Sequence, residues 1–281
     1  LQPGCVLWLD AAAIMAGPQA HQPRRDQISF WSAAEAMRRA LDNRFTGSFE
    51  QAVDAVDRLL ADAVNLRSVA DVPVGVFLSG GTDSALVASM MQARGQGQVR
   101  SFSIGFRGSS HDEAPLAKAV ATHLGTCHTE LYVDGADALA VVPQLPAMFD
   151  EPFADASQVP TALVARLARS GVTVALSGDG GDELFFGYLR YSRALRNWAM
   201  LRKVPASLRR RLGSAMGEGG RTGGLAAVRA ELDAFGIGDV YRHRVQRWRD
   251  PVAIVRNAGA GALDSIYQQP DPLAGQGEDA D

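Results

Sequence analysis

The chain has 281 residues, of which 47% are hydrophobic and 21% charged, a composition that excludes a globally disordered protein. The 28 basic and 31 acidic residues give a net charge of −3, which argues against nucleic acid or a membrane surface as the partner. No apolar run reaches the roughly 18 residues of a membrane helix, and the only cysteines, Cys5 and Cys127, follow no secretory signal, so we expect reduced thiols and a cytoplasmic location.

The first part of the chain predicts little regular structure. Residues 5–9 have the pattern of a strand, and a loose connection through Pro18 and Pro23 follows them. From residue 48 onward apolar residues recur at helical spacing, which predicts an amphipathic helix that ends near residue 66.

Strand and helix patterns then alternate. Strand patterns occupy residues 74–78 (VGVFL), 99–106, 128–133 and 172–176 (VTVAL). Helical patterns occupy residues 85–92, 113–124, 136–149 and 158–170. This alternation predicts an α/β fold built on a doubly wound parallel sheet. After residue 188 only helical patterns remain, so we expect additional C-terminal helices, with residues 209–211 (RRR) on a solvated helix face.

The sharpest motif is SGGTDS at residues 79–84, directly after VGVFL and directly before a helix. A glycine pair lets the backbone approach phosphate oxygens, to which the N–H groups of the helix start and the hydroxyls of Ser79 and Ser84 could donate. Asp83 would repel phosphate unless it holds Mg²⁺. The motif is not a Walker A loop, because Gly-Lys-Ser/Thr is absent from the sequence. A tight strand–helix turn with a capping serine is the structural alternative.

A second glycine-rich string, SGDGGDELFFGY at residues 177–188, follows VTVAL. It crowds the carboxylates of Asp179, Asp182 and Glu183, which is costly unless a cation or a cationic substrate neutralises them. The alternative is a solvated acidic turn that caps the next helix.

These strings resemble known families. SGGTDS is similar to the pyrophosphate loop of the N-type (PP-loop) ATP pyrophosphatases, of the adenine nucleotide alpha hydrolase-like fold, which cleave ATP to AMP and pyrophosphate. The second string resembles the SG-E/D-G-x-DE-x-F-x-GY segment of the glutamine-hydrolysing asparagine synthetases. Further segments resemble that family, namely residues 3–4 (PG), Trp31, and residues 71–73 (DVP), 101–106 (SFSIGF), 149–155 (FDEPFAD) and 248–251 (WRDP).

The resemblance implies a synthetase domain that adenylates the aspartate side chain to β-aspartyl-AMP and transfers ammonia to give asparagine, AMP and pyrophosphate. It implies small-molecule partners, ATP, aspartate and ammonia from a glutaminase domain, and it leaves a homodimer open. It assigns a catalytic role to Asp179 and Mg²⁺ to Asp83 and Asp182. It assigns ATP and pyrophosphate binding to Leu78, Ser79, Gly80, Gly81, Asp83, Ser84, Ile104, Ser177, Gly178 and Gly180.

The sequence also departs from the family pattern. We expect residues 1–45 to be a junction remnant that follows a missing glutaminase domain, with Cys5 a packed thiol. We expect residues 46–281 to be the ATP-binding domain, incomplete at its C-terminus, because neither Lys118 nor Lys203 matches the lysine that completes the family site. Phe186 stands where the family usually has glycine. The chain alone should therefore bind ATP but make little asparagine.

Two other functions stay open at this point. The first is a ligase of the same fold with another acceptor, such as a β-lactam synthetase, a lasso-peptide cyclase or a metabolite-tailoring amidotransferase. The second is a nucleotide-binding fragment without catalysis, which the unmatched lysine motivates.

Overall fold

A computed structural model describes residues 3–16, 27–95, 97–108, 112–149, 155–216 and 223–245. The chain divides into two compact units, residues 1–58 with 268–281, and residues 59–267. These units are defined by contacts within the chain and not by function, so the predicted division into residues 1–45 and 46–281 stays a prediction.

The first unit contains a small antiparallel hairpin. Its elements are β1 (Cys5–Leu7), α1 (Ala11–Ala16), β2 (Gln27–Ser29), α2 (Ala33–Asp42) and the start of α3 (Phe49–Ser68). The carbonyl of Gly4 accepts hydrogen bonds from the N–H groups of Phe30 and Trp31, at 2.9 and 3.2 Å. The predicted strand at residues 5–9 is confirmed in a shorter form, whereas β2, α1 and α2 were not predicted. The predicted connection through Pro18 and Pro23 lies outside the described residues.

The second unit is built on a parallel sheet with the order β5-β4-β3-β6. Its strands are β3 (Val74–Phe77), β4 (Arg100–Phe106), β5 (Cys127–Val133) and β6 (Val174–Leu176). The helices among them are α4 (Thr82–Arg94), α5 (Ala114–Leu124), α6 (Gly135–Val141), a 3₁₀ turn (Val142–Gln144), α7 (Leu145–Met148), α8 (Gln158–Arg169) and α9 (Gly181–Phe185). The predicted α/β fold with a parallel sheet is therefore confirmed.

Helices cover both faces of this sheet. Val76 of the central strand β3 is buried in a cluster with Val64 of α3, Ala88 of α4 and Ala117 of α5. Its neighbour Phe77 packs against a second cluster, which holds residues of β4 and α8. Successive side chains of a strand point to opposite faces, so the two clusters lie on opposite sides of the sheet, as in a doubly wound fold.

The last helices pack around a small core of their own. They are α10 (Leu189–Leu201), α11 (Ala206–Ala215), α12 (Gly223–Asp233) and α13 (Ile237–Val245). The predicted solvated face at residues 209–211 is wrong for Arg209, which is only 5% exposed. Its guanidinium donates to the carbonyls of Val204, Leu232 and Ala234, so burial is compensated by hydrogen bonds. Within the described residues, no helix has the length and apolar character needed to span a membrane.

Candidate functional site

The first loop, residues 79–84, follows the C-terminal end of β3 and is held by its own serines. The backbone N–H of Ser79 donates to Oγ of Ser84 at 3.2 Å, and the two hydroxyl oxygens lie 2.9 Å apart. The Ser84 hydroxyl also donates to the carbonyl of Gly81, at 3.2 Å. Ser84 is buried, so these bonds fix the shape of the loop before any ligand binds.

Helix α4 begins at this loop without a side-chain cap. Its N-cap is Gly81, which offers no side-chain acceptor to the first N–H groups of the helix. Those N–H groups and the helix dipole favour an anion at this end of the helix. Gly80 has a φ of +82°, and a Cβ there would lie 2.8 Å from the backbone nitrogen of Ala117. A tight turn packed on α5 therefore requires glycine at this position.

The second loop follows β6, the strand beside β3, and lies directly against the first. A Cβ on Gly178 would lie 2.6 Å from the backbone nitrogen of Ser84, and a Cβ on Gly181 would overlap the Asp83 carboxylate. The hydroxyl of Ser177 donates to Oδ2 of Asp179 at 3.0 Å, which orients that carboxylate. Gly178 and Gly181 therefore allow the second loop to lie against Asp83 and Ser84 of the first loop, because a side chain at either glycine would collide with them.

Between the two loops lies a cavity of about 780 Å³, which we call the carboxylate cavity. It is lined by Phe77, Ser79, Gly81, Thr82, Asp83, Ser84, Thr161, Ser177, Gly178, Asp179, Gly180, Asp182, Glu183, Gly187 and Tyr188. Four carboxylates and several hydroxyls face one space, and no lysine or arginine is among these lining residues. A polyanion could occupy this space only if a cation accompanied it.

Tyr188 and Glu183 form a hydrogen-bonded pair in this cavity. The bond from the phenol to the Glu183 carboxylate, followed by partial burial, raises the pKa of Tyr188 above its usual value. The phenol therefore stays a neutral donor at physiological pH. The phenol thus engages the Glu183 carboxylate as the Ser177 hydroxyl engages that of Asp179, and Asp83 and Asp182 are left to other partners.

The arrangement of Asp83 and Asp182 fits Mg²⁺. Both carboxylates line the same cavity, and Asp182 is turned toward Gly187, where a Cβ would overlap it. Among the described residues no group of three or more histidine, cysteine or acidic side chains could form a metal cage. Mg²⁺ is commonly bound by one or two carboxylates together with substrate phosphates, so two carboxylates beside an anion loop are a suitable donor set.

A smaller and more apolar cavity of about 320 Å³ joins the first at Phe77, Ser79 and Thr161. Leu78 and Ile104, both predicted to contact the nucleotide, line it together with Phe102 and Phe106. Its walls suit a flat aromatic ring, whereas the walls of the carboxylate cavity suit charged groups.

The structure thus brings the predicted site residues together. All of them line one or both cavities except Gly80, which shapes the loop from beneath through its contact with α5. Sequence reasoning did not find Thr161, which borders both cavities, or Glu113, which lines the smaller one. Thr161 lies in the first turn of α8, soon after the FDEPFAD segment, and that position could have indicated that it belongs to the site. Most of that segment lies outside the described residues, as does WRDP.

Phe186 adopts a backbone conformation that glycine favours. Its φ is +61° and its ψ is 34°, and it ends helix α9. Glycine, which the family resemblance led us to expect at this position, adopts that left-handed conformation without strain. The Phe186 ring contacts the ring of Tyr191 with centroids 5.0 Å apart, so it turns toward α10.

The sequence of this chain is similar to sequences of one family of known proteins. The sequence model of the family described as asparagine synthase matches residues 55–277, most of the chain. A Methanocaldococcus jannaschii protein, provisionally named glutamine-hydrolyzing asparagine synthetase 2, is 43% identical over 153 residues, covering 54% of this chain and 29% of that protein. Glutamine-hydrolyzing asparagine synthetase 1 of Bacillus subtilis is 35% identical over 163 residues, covering 58% of this chain and 26% of that protein. Asparagine synthetase 1 of Arabidopsis thaliana, also glutamine-hydrolyzing, is 40% identical over 153 residues, covering 50% and 26%. The chain therefore spans less than a third of these relatives.

Proposed function

The chain belongs to the asparagine synthase family, and on that basis we propose that its two loops form the ATP site at which a carboxylate is activated for amide formation. The observation that carries the proposal is the meeting of the two loops. An uncapped helix start and a set of carboxylates face the same cavity, and an apolar cavity continues from it.

The two cavities divide the nucleotide between them. In the proposed complex the adenine lies in the smaller cavity near Leu78 and Ile104, which gives apolar contact to its ring. The pyrophosphate part lies against the first loop, where the helix start and the hydroxyls of Ser79 and Ser84 donate to its oxygens. The α-phosphate is then placed near Ser177 and Gly178, on the wall of the carboxylate cavity.

Charge neutralisation in this site falls to Mg²⁺. When bound, the ion would neutralise the phosphate oxygens and make the pyrophosphate a better leaving group. Asp83 and Asp182 would hold it from the two loops. Glycines at positions 178 and 181 allow the close approach of the two loops on which this shared ion would depend.

The proposed reaction has two transfers. A side-chain carboxylate oxygen of aspartate forms a bond to the α-phosphorus of ATP, and the bond from that phosphorus to pyrophosphate breaks. Ammonia then attacks the acyl carbon of β-aspartyl-AMP, the bond to the AMP oxygen breaks, and a proton leaves the nitrogen. Asp179, oriented by Ser177, is placed to attract the ammonium group of aspartate or the incoming ammonia.

The partners follow from the family. The relatives are named as glutamine-hydrolyzing enzymes, so we propose that ammonia comes from a glutaminase domain and that aspartate is the acceptor. Ligases with another acceptor are less favoured, because the three relatives all carry the asparagine synthetase name.

Calorimetric titration with Mg·ATP tests the site. We expect Asp83→Ala and Asp182→Ala each to weaken affinity by about tenfold or more, since each removes a metal ligand. Asp62→Ala, on the exposed side of α3, is the matched control and should leave affinity unchanged. Unchanged affinity in both loop variants would exclude the metal assignment. Aspartate-dependent exchange of pyrophosphate into ATP then tests the adenylation step separately.

A further inference from the structure

A second polar cavity, of about 420 Å³, lies among helices α10, α12 and α13. Its polar lining consists of Arg190, Arg193, Asn197, Glu231, His243 and Arg244. Neither the family comparison nor the proposed reaction assigns it a role. We call it the arginine cavity.

The charges of the arginine cavity do not cancel. The one carboxylate in its lining, Glu231, is already engaged, because Arg244 forms an ion pair with one oxygen and Asn197 donates to the other at 2.7 Å. Within the described part of the chain, Arg190 and Arg193 form no ion pair that would neutralise them. Three arginines against one glutamate leave a formal charge of +2, even with His243 neutral.

Arg190 is held in place although it lacks a carboxylate partner. Its guanidinium carbon lies 3.5 Å from the centre of the Tyr188 ring, and its side chain hydrogen bonds to Tyr241. Its Nε is buried and has no hydrogen-bond partner among the described residues. A partly buried guanidinium with an unpartnered Nε and other arginines around the same cavity is costly, and a bound anion would reduce that cost.

We propose that the arginine cavity binds a small phosphate-bearing anion. Its volume lies in the range of roughly 300–1,000 Å³ that small-molecule sites occupy. Arginine forks match the oxygens of phosphate in a bidentate manner, and a nearby histidine adds a further donor. The site is separate from the proposed nucleotide loops but contacts them indirectly, because Tyr188 stacks on Arg190 and lines the carboxylate cavity.

Isothermal titration with inorganic phosphate at constant ionic strength tests this proposal. Arg193→Gln should weaken phosphate affinity by about tenfold or more, the loss expected for one charge-assisted contact. Arg193 is exposed, so the variant should fold, and circular dichroism would verify this. Arg196→Gln is the matched control, since Arg196 is an exposed arginine of the same helix outside the cavity lining. It should leave affinity unchanged.

Ser84→Ala distinguishes the two sites, because Ser84 belongs to the proposed pyrophosphate loop. Phosphate binding that survives Ser84→Ala and is weakened by Arg193→Gln would support the arginine cavity whether or not the chain binds ATP. Absence of saturable phosphate binding, equal weakening by Arg196→Gln, or loss of all binding in Ser84→Ala would each overturn the proposal.

Discussion

The contact between the two loops predicts the effect of adding one methyl group at Gly178. The Cβ of Gly178→Ala would lie 2.6 Å from the backbone nitrogen of Ser84, and 2.9 and 3.0 Å from the carbonyl carbon and Cβ of Asp83. Backbone atoms cannot swing aside as a flexible side chain can, so the loops must separate. Overpacking of this kind costs about 1–3 kcal/mol. At about 2–4 °C per kcal/mol for a domain of this size, we expect the melting temperature to fall by several degrees.

The same separation should weaken Mg·ATP binding, because it moves Asp83 away from Asp182. Thermal unfolding and calorimetric titration of the purified variant would measure both effects. Gly135→Ala is the matched control, since no described atom outside its chain neighbours and the adjacent helix backbone lies within 4 Å of the Cβ it would add. That control should be neutral or gain about 0.4–1 kcal/mol. If Gly178→Ala matched the control in stability and kept its nucleotide affinity, the loops would not be in contact as described.

Three further predictions concern stability, each measured by unfolding. The free energy of unfolding of Phe186→Gly should exceed that of Phe186→Ala by about 0.5–1.5 kcal/mol, because φ is +61° at this position. Alanine usually stabilises a helix more than glycine does, so a more stable Phe186→Ala would refute this prediction. Burial lowers the pKa of His128, so below about pH 6.5 the unfolded state binds more protons than the folded state and stability should fall as the pH drops. His128→Gln should make stability depend less on pH in this range. An unchanged dependence on pH would contradict the prediction. Arg209→Ala should cost about 2–4 kcal/mol and exposed Arg210→Ala almost nothing, whereas equal costs would count against the buried contacts.

The sheet and the two loops could be predicted because their signals are local. A buried strand gives a continuous apolar run, and a glycine-rich string directly after it marks the carboxyl end of that strand. Both SGGTDS and SGDGGDELFFGY satisfy this rule, which assigns their residues to the edge of the sheet where its parallel strands end. The pairing of β3 with β6, which the sequence analysis did not predict, brings the two loops together.

The remaining features depend on tertiary contacts that leave no local pattern. Arg209 stands in a run of arginines that predicts solvent exposure, yet the carbonyls that hold it belong to Leu232 and Ala234 of a distant segment. Tyr188 connects the carboxylate cavity with the arginine cavity through its hydrogen bond to Glu183 and its contact with Arg190. Neither pairing could be read from spacing, because a tyrosine and an arginine near a helix start occur in many contexts.

The register of the central strand has a consequence for folding kinetics. Val76 of β3 pairs with Leu176 of β6, so this pairing closes a chain segment of about 100 residues, whereas β3 pairs with β4 across a much shorter one. Closure of the longer segment is entropically slower, so we expect β6 to join after β4 and β5. Until it joins, one edge of β3 stays unpaired and open to other chains. Nucleotide binding, which needs both loops, should therefore recover as the last event of refolding.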